Sequence, residues 1–158
     1  MPVLVNNKRA SFDYEILEKF EAGLVLHGYE VKSLKKGNGS LKGSFISFSQ
    51  VKKGALPEAY LRKCFIPKYE KAASISDHEP ERDRKLLLKK QQIAYLLGKK
   101  NEQGLTLIPT KIYTKNGFVK LEFALAKGKK KQDKRETIKK RELDRQSRAL
   151  MKNKIRSR

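Results

Sequence analysis

LTLIPTKIYTKNGFVKLEFALA, residues 105–126, is the stretch that decides the fold. Its Asn116-Gly117 dipeptide is typical of a two-residue type I′ turn, because both positions of that turn need positive φ. Counting outward predicts a β-hairpin whose mostly apolar, buried face pairs Thr114 with Val119, Ile112 with Leu121, Thr110 with Phe123 and Ile108 with Leu125. The other face pairs Tyr113 with Lys120 and Lys111 with Glu122, and the opposite charges of the second pair support the register.

The segments before the hairpin show strand and helix patterns in turn. Residues 11–26 are predicted to be extended, with Gly23 as a bend or bulge, and residues 28–37 fit a helix of about two turns. Two further strands are predicted at 41–50 and 58–66, then a polar loop at 74–80 and a helix at 81–97 that Gly98 ends. This pattern predicts a mainly β fold with short helices, an oligonucleotide-binding-type (OB-like) antiparallel barrel.

The last 32 residues differ in composition from the rest of the chain. They hold fifteen Lys/Arg against four Asp/Glu, a net charge of +11, whereas the preceding 126 residues carry +10. The tail has few large apolar groups, and their burial cannot offset the entropy cost of ordering the chain. This tail is therefore expected to be disordered when free. We therefore divide the chain into a barrel, 1–126, and a basic C-terminal tail, 127–158. The charge favours a polyanionic partner, most simply nucleic acid.

The tail nevertheless carries helix signals. Asp133 followed by Glu136 resembles a capping box, and a stripe of apolar residues falls near helical spacing, namely Leu143, Leu150, Met151 and Ile155. Gly128, which precedes these signals, is a candidate hinge. We predict a segment that becomes helical against a partner, with basic residues around most of its circumference.

Several other classes of protein are disfavoured. The single cysteine, Cys64, cannot form an internal disulfide, and its strand-like setting indicates a buried thiol. Neither His27 nor His78 has a second His or Cys at metal-ligand spacing, and no nucleophile elbow, P-loop or dinucleotide fingerprint is present. We expect no metal, no cofactor and no catalysis. Without a signal peptide or a membrane-spanning apolar run, a cytoplasmic monomer with no membrane contact is expected.

Basic residues also recur through the barrel. Their clusters lie at 8–9, 35–36, 52–53, 82–85 and 89–90, and as a set they favour a phosphate-binding surface. Most aromatic residues fit core positions of the predicted strands. Tyr29, Tyr69 and Tyr113 are flanked by Lys and Glu, so they are candidates for stacking on bases.

Five stretches together resemble the SmpB family of bacterial tmRNA-binding (SsrA-binding) proteins. They are NNKRASFDYEI (6–16), FEAGLVLHGYEVKSLKKG (20–37), RDRKLLL (82–88), AKGKKKQDKR (126–135) and ALMK (149–152). The resemblance covers essentially the whole chain. It implies a barrel that binds the tRNA-like domain of tmRNA and brings it to stalled ribosomes for trans-translation. The implied partners are tmRNA, the rRNA of the ribosomal decoding centre and mRNA channel, and elongation factor Tu with GTP through aminoacylated tmRNA.

The family motifs imply roles for particular residues. RNA contacts are implied for Asn7, Lys8, Arg9, Glu21, Leu87 and Lys89, and Arg84 and Lys85 are candidates within the same RDRKLLL stretch. Ribosome contacts of the tail are implied for Gly128, Gln132, Asp133, Lys134, Arg135, Leu150, Met151 and Lys152, and Leu143 joins them through the helical stripe. Lys89 stands where family members often have Asn or His, which favours a phosphate contact. Gln132 stands where they often have His or Tyr, so an amide replaces a stacking ring.

The implied mechanism is a length gauge. The barrel holds folded RNA by shape and phosphate, while the tail lies along rRNA and becomes helical only where the mRNA channel is empty. Two other classes stay open from the residues alone. A ribosomal or ribosome-assembly protein would share the basic barrel and arm, and an RNA-modifying enzyme would need a convergent acid/base or metal constellation.

Overall fold

A single curled sheet and four helices make up the computed structural model, which describes residues 2–72, 74–102 and 104–157. The elements are β1 Val3–Asn6, α1 Ala10–Asp13, β2 Tyr14–Leu24, α2 Gly28–Lys35, β3 Phe45–Ser49, β4 Glu58–Arg62, β5 Arg84–Leu87, α3 Lys90–Lys100, β6 Leu105–Lys115, β7 Phe118–Gly128 and α4 Lys131–Arg156. The strands pair antiparallel in the order β1-β6-β7-β2-β5-β4-β3. The mainly β, OB-like fold is confirmed. Within the described residues no ladder joins the edge strands β1 and β3, so the barrel is open.

The predicted hairpin is present as β6 and β7. Asn116 and Gly117 have φ values of 52° and 78°, as a type I′ turn requires. The predicted pairs nearest the turn are confirmed, as far as Lys111 opposite Glu122. Beyond them the register shifts by one, so the predicted pairs Thr110 with Phe123 and Ile108 with Leu125 are wrong. Pro109 is opposite Phe123 instead, and its missing N–H favours a bulge at this point of the ladder.

The core lies inside the curled sheet and receives buried apolar side chains from all seven strands. The hairpin residues that were expected to be buried are buried, namely Thr110, Ile112, Leu121, Phe123 and Leu125. Leu34 of α2 and Leu96 of α3 are fully buried in the same core. Since burying a leucine stabilises a fold by about 1.5–3 kcal/mol, these two side chains anchor their helices to the sheet.

Helix α1 covers the other side of one end of the sheet. Its Ala10 packs in a second cluster with Ile108, Ala124 and Ala126. The sequence predicted extended chain from residue 11 onward, and that prediction is wrong for residues 11–13. A helix of four residues is too short to show a periodic signal.

The segment 81–97 is only partly the helix that was predicted. Residues 84–87 form β5, in which Arg84 and Leu86 point inward while Lys85 and Leu87 do not. Helix α3 starts at Lys90 and continues through Gly98 to Lys100. The helix was predicted because Leu86, Ile93 and Leu97 recur at helical spacing. Leu86 belongs instead to β5, since short apolar runs do not distinguish the two structures.

Strand β2 has its bulge between Ile16 and Glu18, and not at Gly23. Gly23 is instead a site of close approach. A Cβ atom there would lie 3.2 Å from the Cβ of Leu87, its partner on β5. The absence of a side chain at Gly23 therefore lets Leu87 lie over β2.

The tail forms the continuous helix α4, in which no residue is buried. The helix that the sequence signals of the tail predicted is thus present, and the disorder of the free tail stays a prediction. Asp133 was predicted as the N-cap but lies in the first turn, where its carboxylate accepts the Lys130 N–H at 3.2 Å. Contacts with α1 restrain the first half of α4, where Lys134 pairs with Asp13 at 3.4 Å and Arg141 lies over the Phe12 ring.

Candidate functional site

One face of the sheet, opposite the core, gathers most of the charged side chains of the strands. We call it the outer face and define it by Lys19, Glu21 and Gly23 of β2, Lys85 and Leu87 of β5, Lys111, Tyr113 and Lys115 of β6, and Lys120 and Glu122 of β7. Alternation along each strand puts these residues on one side and core residues such as Ala22 and Leu121 on the other. The cross-strand register thus brings five lysines and two glutamates onto one surface.

Glu21 lies at the centre of a hydrogen-bonded group on the outer face. Its carboxylate accepts hydrogen bonds from the Tyr113 hydroxyl and from the ammonium groups of Lys115 and Lys120, at 3.3 and 3.4 Å. The Tyr113 hydrogen bond, with help from both lysines, lowers the pKa of Glu21 against the opposing effect of desolvation. Burial and the hydrogen bond to Glu21 raise the pKa of Tyr113. Glu21 is therefore ionised at neutral pH and orders two lysines.

Leu87 lies close to Glu21 in the register of β2 with β5. Leu87 pairs with Gly23, two residues from Glu21 on the same face, and its side chain is 57% exposed. Lys89 follows two residues later, exposed, at the N-cap of α3, where its N–H donates to the Gln92 side chain. The strand pairing thus places Leu87 on the same face as Glu21, although the two are distant along the chain, and Lys89 lies just beyond the end of β5.

The RNA contact predicted for Arg84 is wrong, because this side chain is fully buried and cannot reach RNA. Its guanidinium donates to the buried Glu30 carboxylate at 2.8 and 3.0 Å and to the Cys64 carbonyl at 2.6 Å. Arg82 completes the group with a 2.6 Å contact to Glu30. Burial alone would raise the pKa of Glu30, but hydrogen bonds from Arg82, the His27 N–H and Arg84 lower it. We call Glu30, Arg82 and Arg84 the buried ion-pair network; it links α2 to β5.

The alternation of β5 was the signal that could have separated Arg84 from its neighbour. Lys85 lies on the outer face, as predicted for an RNA contact, and its ammonium is 2.8 Å from the Glu58 carboxylate. That pairing lowers the pKa of Glu58 and raises the pKa of Lys85.

Asn7, Lys8 and Arg9 lie away from the outer face, between β1 and α1. The Asn7 amide donates to the Pro109 carbonyl at 2.9 Å, which gives this side chain a structural contact. Lys8 and Arg9 are exposed and border a cleft of about 610 Å³ that residues 39–45 line on its other side. None of the residues lining this cleft belongs to the outer face.

The tail residues lie at two places on α4. Gly128 ends β7 opposite Tyr14, and Gln132, Asp133, Lys134 and Arg135 follow in the first turns of the helix. Leu143, Leu150 and Met151 are largely exposed, together with Lys152, further along. The spacing of the apolar residues puts them near one stripe, so α4 presents an uncovered apolar line among its cations.

The aromatic candidates differ in exposure. Tyr113 is buried, so its predicted stacking on a base is wrong. Tyr29 stacks on His27 at a centroid distance of 5.3 Å, and Lys36 lies over the Tyr69 ring at 4.9 Å. The sequence did not single out Lys19, Lys115, Lys120 and Glu122 as site residues, although the hairpin register had already placed Glu122 beside Lys111.

Other kinds of site find little support in the described part of the chain. Burial raises the pKa of the Cys64 thiol to about 11, so it is neither ionised nor accessible. Residues 2–72, 74–102 and 104–157 contain no group of three potential metal-ligating side chains. None of the helices in these ranges has the length and apolar character needed to cross a membrane.

Comparison with known proteins extends over barrel and tail alike. The family model described as SmpB protein matches residues 4–153. The chain is 52% identical to the SsrA-binding protein of Thermosipho melanesiensis, with 96% of this chain and 99% of the relative covered. It is 48% identical to that of a Sulfurihydrogenibium species, with coverage of 97% and 96%.

A solved structure gives the same result in three dimensions. A chain from the structure described as "tmRNA-SmpB: a journey to the center of the bacterial ribosome" superposes with a TM-score of 0.66 at 44% identity. The match covers 87% of this chain and 95% of that one. From sequence and fold together, the chain belongs to the SmpB family.

Proposed function

We propose that this protein binds the tRNA-like domain of tmRNA and delivers it to stalled ribosomes for trans-translation. The observation that carries the proposal is the extent of the family match, which spans the sheet and nearly all of α4. The match thus supports both functional parts that the family implies, an RNA-binding barrel and a ribosome-binding tail. The protein acts as a cytoplasmic monomer, and elongation factor Tu with GTP joins it through the aminoacylated tmRNA.

The outer face is the surface proposed for the tRNA-like domain. Its lysines and the adjacent Lys89 contact phosphates, which position a folded RNA without reading its sequence. Leu87 supplies an exposed apolar side chain beside them, suited to packing against a sugar or base. Lys8 and Arg9, on a different surface, contact a second part of the RNA or the ribosome.

The tail is proposed to sense an empty mRNA channel. Its helix has no buried residue and carries most of the tail's excess of positive charge, so it can lie along rRNA wherever phosphates are accessible. Message in the channel would occupy the same space. Recognition therefore depends on occupancy, and Asp133, Lys134 and Arg135 set where the helix starts.

Binding of the tRNA-like domain by Lys89→Glu protein tests the proposal. We expect weaker binding and a salt slope reduced by about 1, because one phosphate contact is lost. Lys71→Glu is the matched control, since Lys71 is exposed on a distant loop and the change in net charge is the same. Equal loss in both variants, or binding that does not depend on salt, would contradict a specific contact at Lys89.

A ribosome-assembly protein would differ in the particles that it accompanies. Our proposal expects co-sedimentation with mature stalled ribosomes and recovery of tmRNA from the same fraction. Recovery with precursor particles alone, without tmRNA, would favour the assembly role.

A further inference from the structure

Two carboxylates face each other at the centre of the outer face. Glu21 of β2 and Glu122 of β7 are direct cross-strand partners. Like charges in such a position destabilise a sheet unless other groups neutralise them. On a surface whose only role is to attract phosphate, both carboxylates would also be unfavourable, because they repel it.

Each carboxylate has its own set of donors. Glu122 accepts from the Thr110 hydroxyl at 2.8 Å, and the ammonium groups of Lys111 and Lys19 lie 3.2 and 3.5 Å from its oxygens. Burial alone would raise the pKa of Glu122, but these three donors lower it. Glu21 binds Lys115 and Lys120 in the same manner. The two glutamates therefore hold four lysines, with two positive charges in excess.

The bulge in β6 contributes directly to this arrangement. Thr110 follows Pro109 at the register shift, and its hydroxyl lies beneath the Glu122 carboxylate. Glu122 is only 20% exposed, whereas Lys19 is 58% exposed. The carboxylate is thus fixed from below while the lysines that it holds reach the surface.

We propose that Glu122 is a positioning residue which, together with Glu21, fixes four lysines in a set pattern, so that the outer face selects a folded RNA by the geometry of its phosphates. The inference rests on the function proposed above. A free lysine loses side-chain entropy when it is fixed, so ordering it beforehand lowers the cost of binding. The carboxylates also repel phosphates that do not lie over a lysine, which disfavours other RNAs.

The positioning role predicts a loss of RNA preference that a change in net charge alone would not cause. Glu122→Gln adds one positive charge, which by itself strengthens binding to every RNA. If Glu122 positions the lysines, the preference for the tRNA-like domain over an unrelated RNA duplex of equal length falls by about tenfold. Glu70→Gln is the control, because it makes the same charge change at an exposed site away from the outer face.

The experiment measures the dissociation constants of both RNAs for wild type, Glu122→Gln and Glu70→Gln at one salt concentration. A second variant, Lys111→Gln, removes a partner of Glu122 and should lower the same ratio even if Glu122→Gln folds poorly. Thermal melts identify any decrease in the ratio of dissociation constants that is caused by unfolding. Ratios equal to that of Glu70→Gln in both outer-face variants would overturn the positioning role. A wild-type protein without preference for the tRNA-like domain would instead overturn the proposed function.

Discussion

The barrel, residues 1–126, and the tail, residues 127–158, carry almost the same net charge, yet they hold it in different ways. On the outer face, ion pairs and hydrogen bonds from neighbouring strands fix the lysines. On α4 the cations are spread over an exposed helix whose second half projects past α1. The sheet can therefore recognise a particular RNA shape, whereas the helix responds mainly to whether polyanion is accessible along its length.

Deletion of residues 129–158 should separate the two regions most strongly. We expect tagging on stalled ribosomes to be abolished, while affinity for the tRNA-like domain stays within about tenfold, because the sheet is organised without the tail. Parallel assays of tagging and RNA binding measure this. A scrambled tail of the same composition is the control and should not restore tagging. Equal loss of both activities would indicate that the tail is a simple phosphate anchor.

Replacement of Asp133, Lys134 and Arg135 by Ala should remove most of the tagging with the tail still present. The change deletes the carboxylate that accepts the Lys130 N–H and the ion pair with Asp13, and loss of such a cap costs about 0.5–2 kcal/mol. The control, Lys139→Ala/Lys140→Ala, lowers the net charge by two instead of one but removes no cap. If this control lost tagging equally, charge and not the helix start would be decisive.

Glu30→Ala should affect the sheet and not the tail. It leaves Arg84 charged and unpaired in the interior, a change that typically costs about 3–5 kcal/mol of unfolding free energy. Urea denaturation measures the loss. Arg82→Ala is the control, with a smaller effect expected because this side chain is partly exposed. A loss below about 1 kcal/mol would mean that water reaches Arg84.

Leu143→Pro tests whether α4 exists in the free protein. Proline inside a helix costs about 3 kcal/mol, and no buried contact holds the helix at this position. If the free tail is helical, far-UV ellipticity should therefore fall with no change in the melting temperature of the sheet. Leu143→Ala should retain the ellipticity. Identical spectra for wild type and Leu143→Pro would restore the original expectation of a free tail without helix.

Local signals in the sequence were sufficient for much of the fold. The Asn116-Gly117 turn fixed the hairpin register as far as Lys111, because turn geometry and side-chain alternation act over short distances. The bulge at Pro109 could have been anticipated, since proline cannot donate to a ladder. The pairing of Arg84 with Glu30 could not, because the two residues are more than fifty positions apart in the chain.

The candidate site shows the same division. Family motifs identified Glu21, Leu87 and Lys89, and the register brings Leu87 to the strand that carries Glu21. The lysines that Glu21 and Glu122 hold come from three strands, so only the tertiary pairing reveals them. The α4 helix was expected from its capping signal and apolar stripe, whereas its contacts with α1 could not be derived from composition.

Helix α4 also has a linear charge density, which follows from its length. Twenty-six residues of α-helix extend about 39 Å, and this span carries eleven Lys/Arg, one for about every 3.5 Å. Phosphates along one strand of B-form DNA repeat at about 3.4 Å. The helix therefore presents its cations at nearly the axial repeat of a nucleic acid strand, while its four Asp/Glu reduce its net charge to +7, enough to neutralise roughly three of every five phosphates along that span.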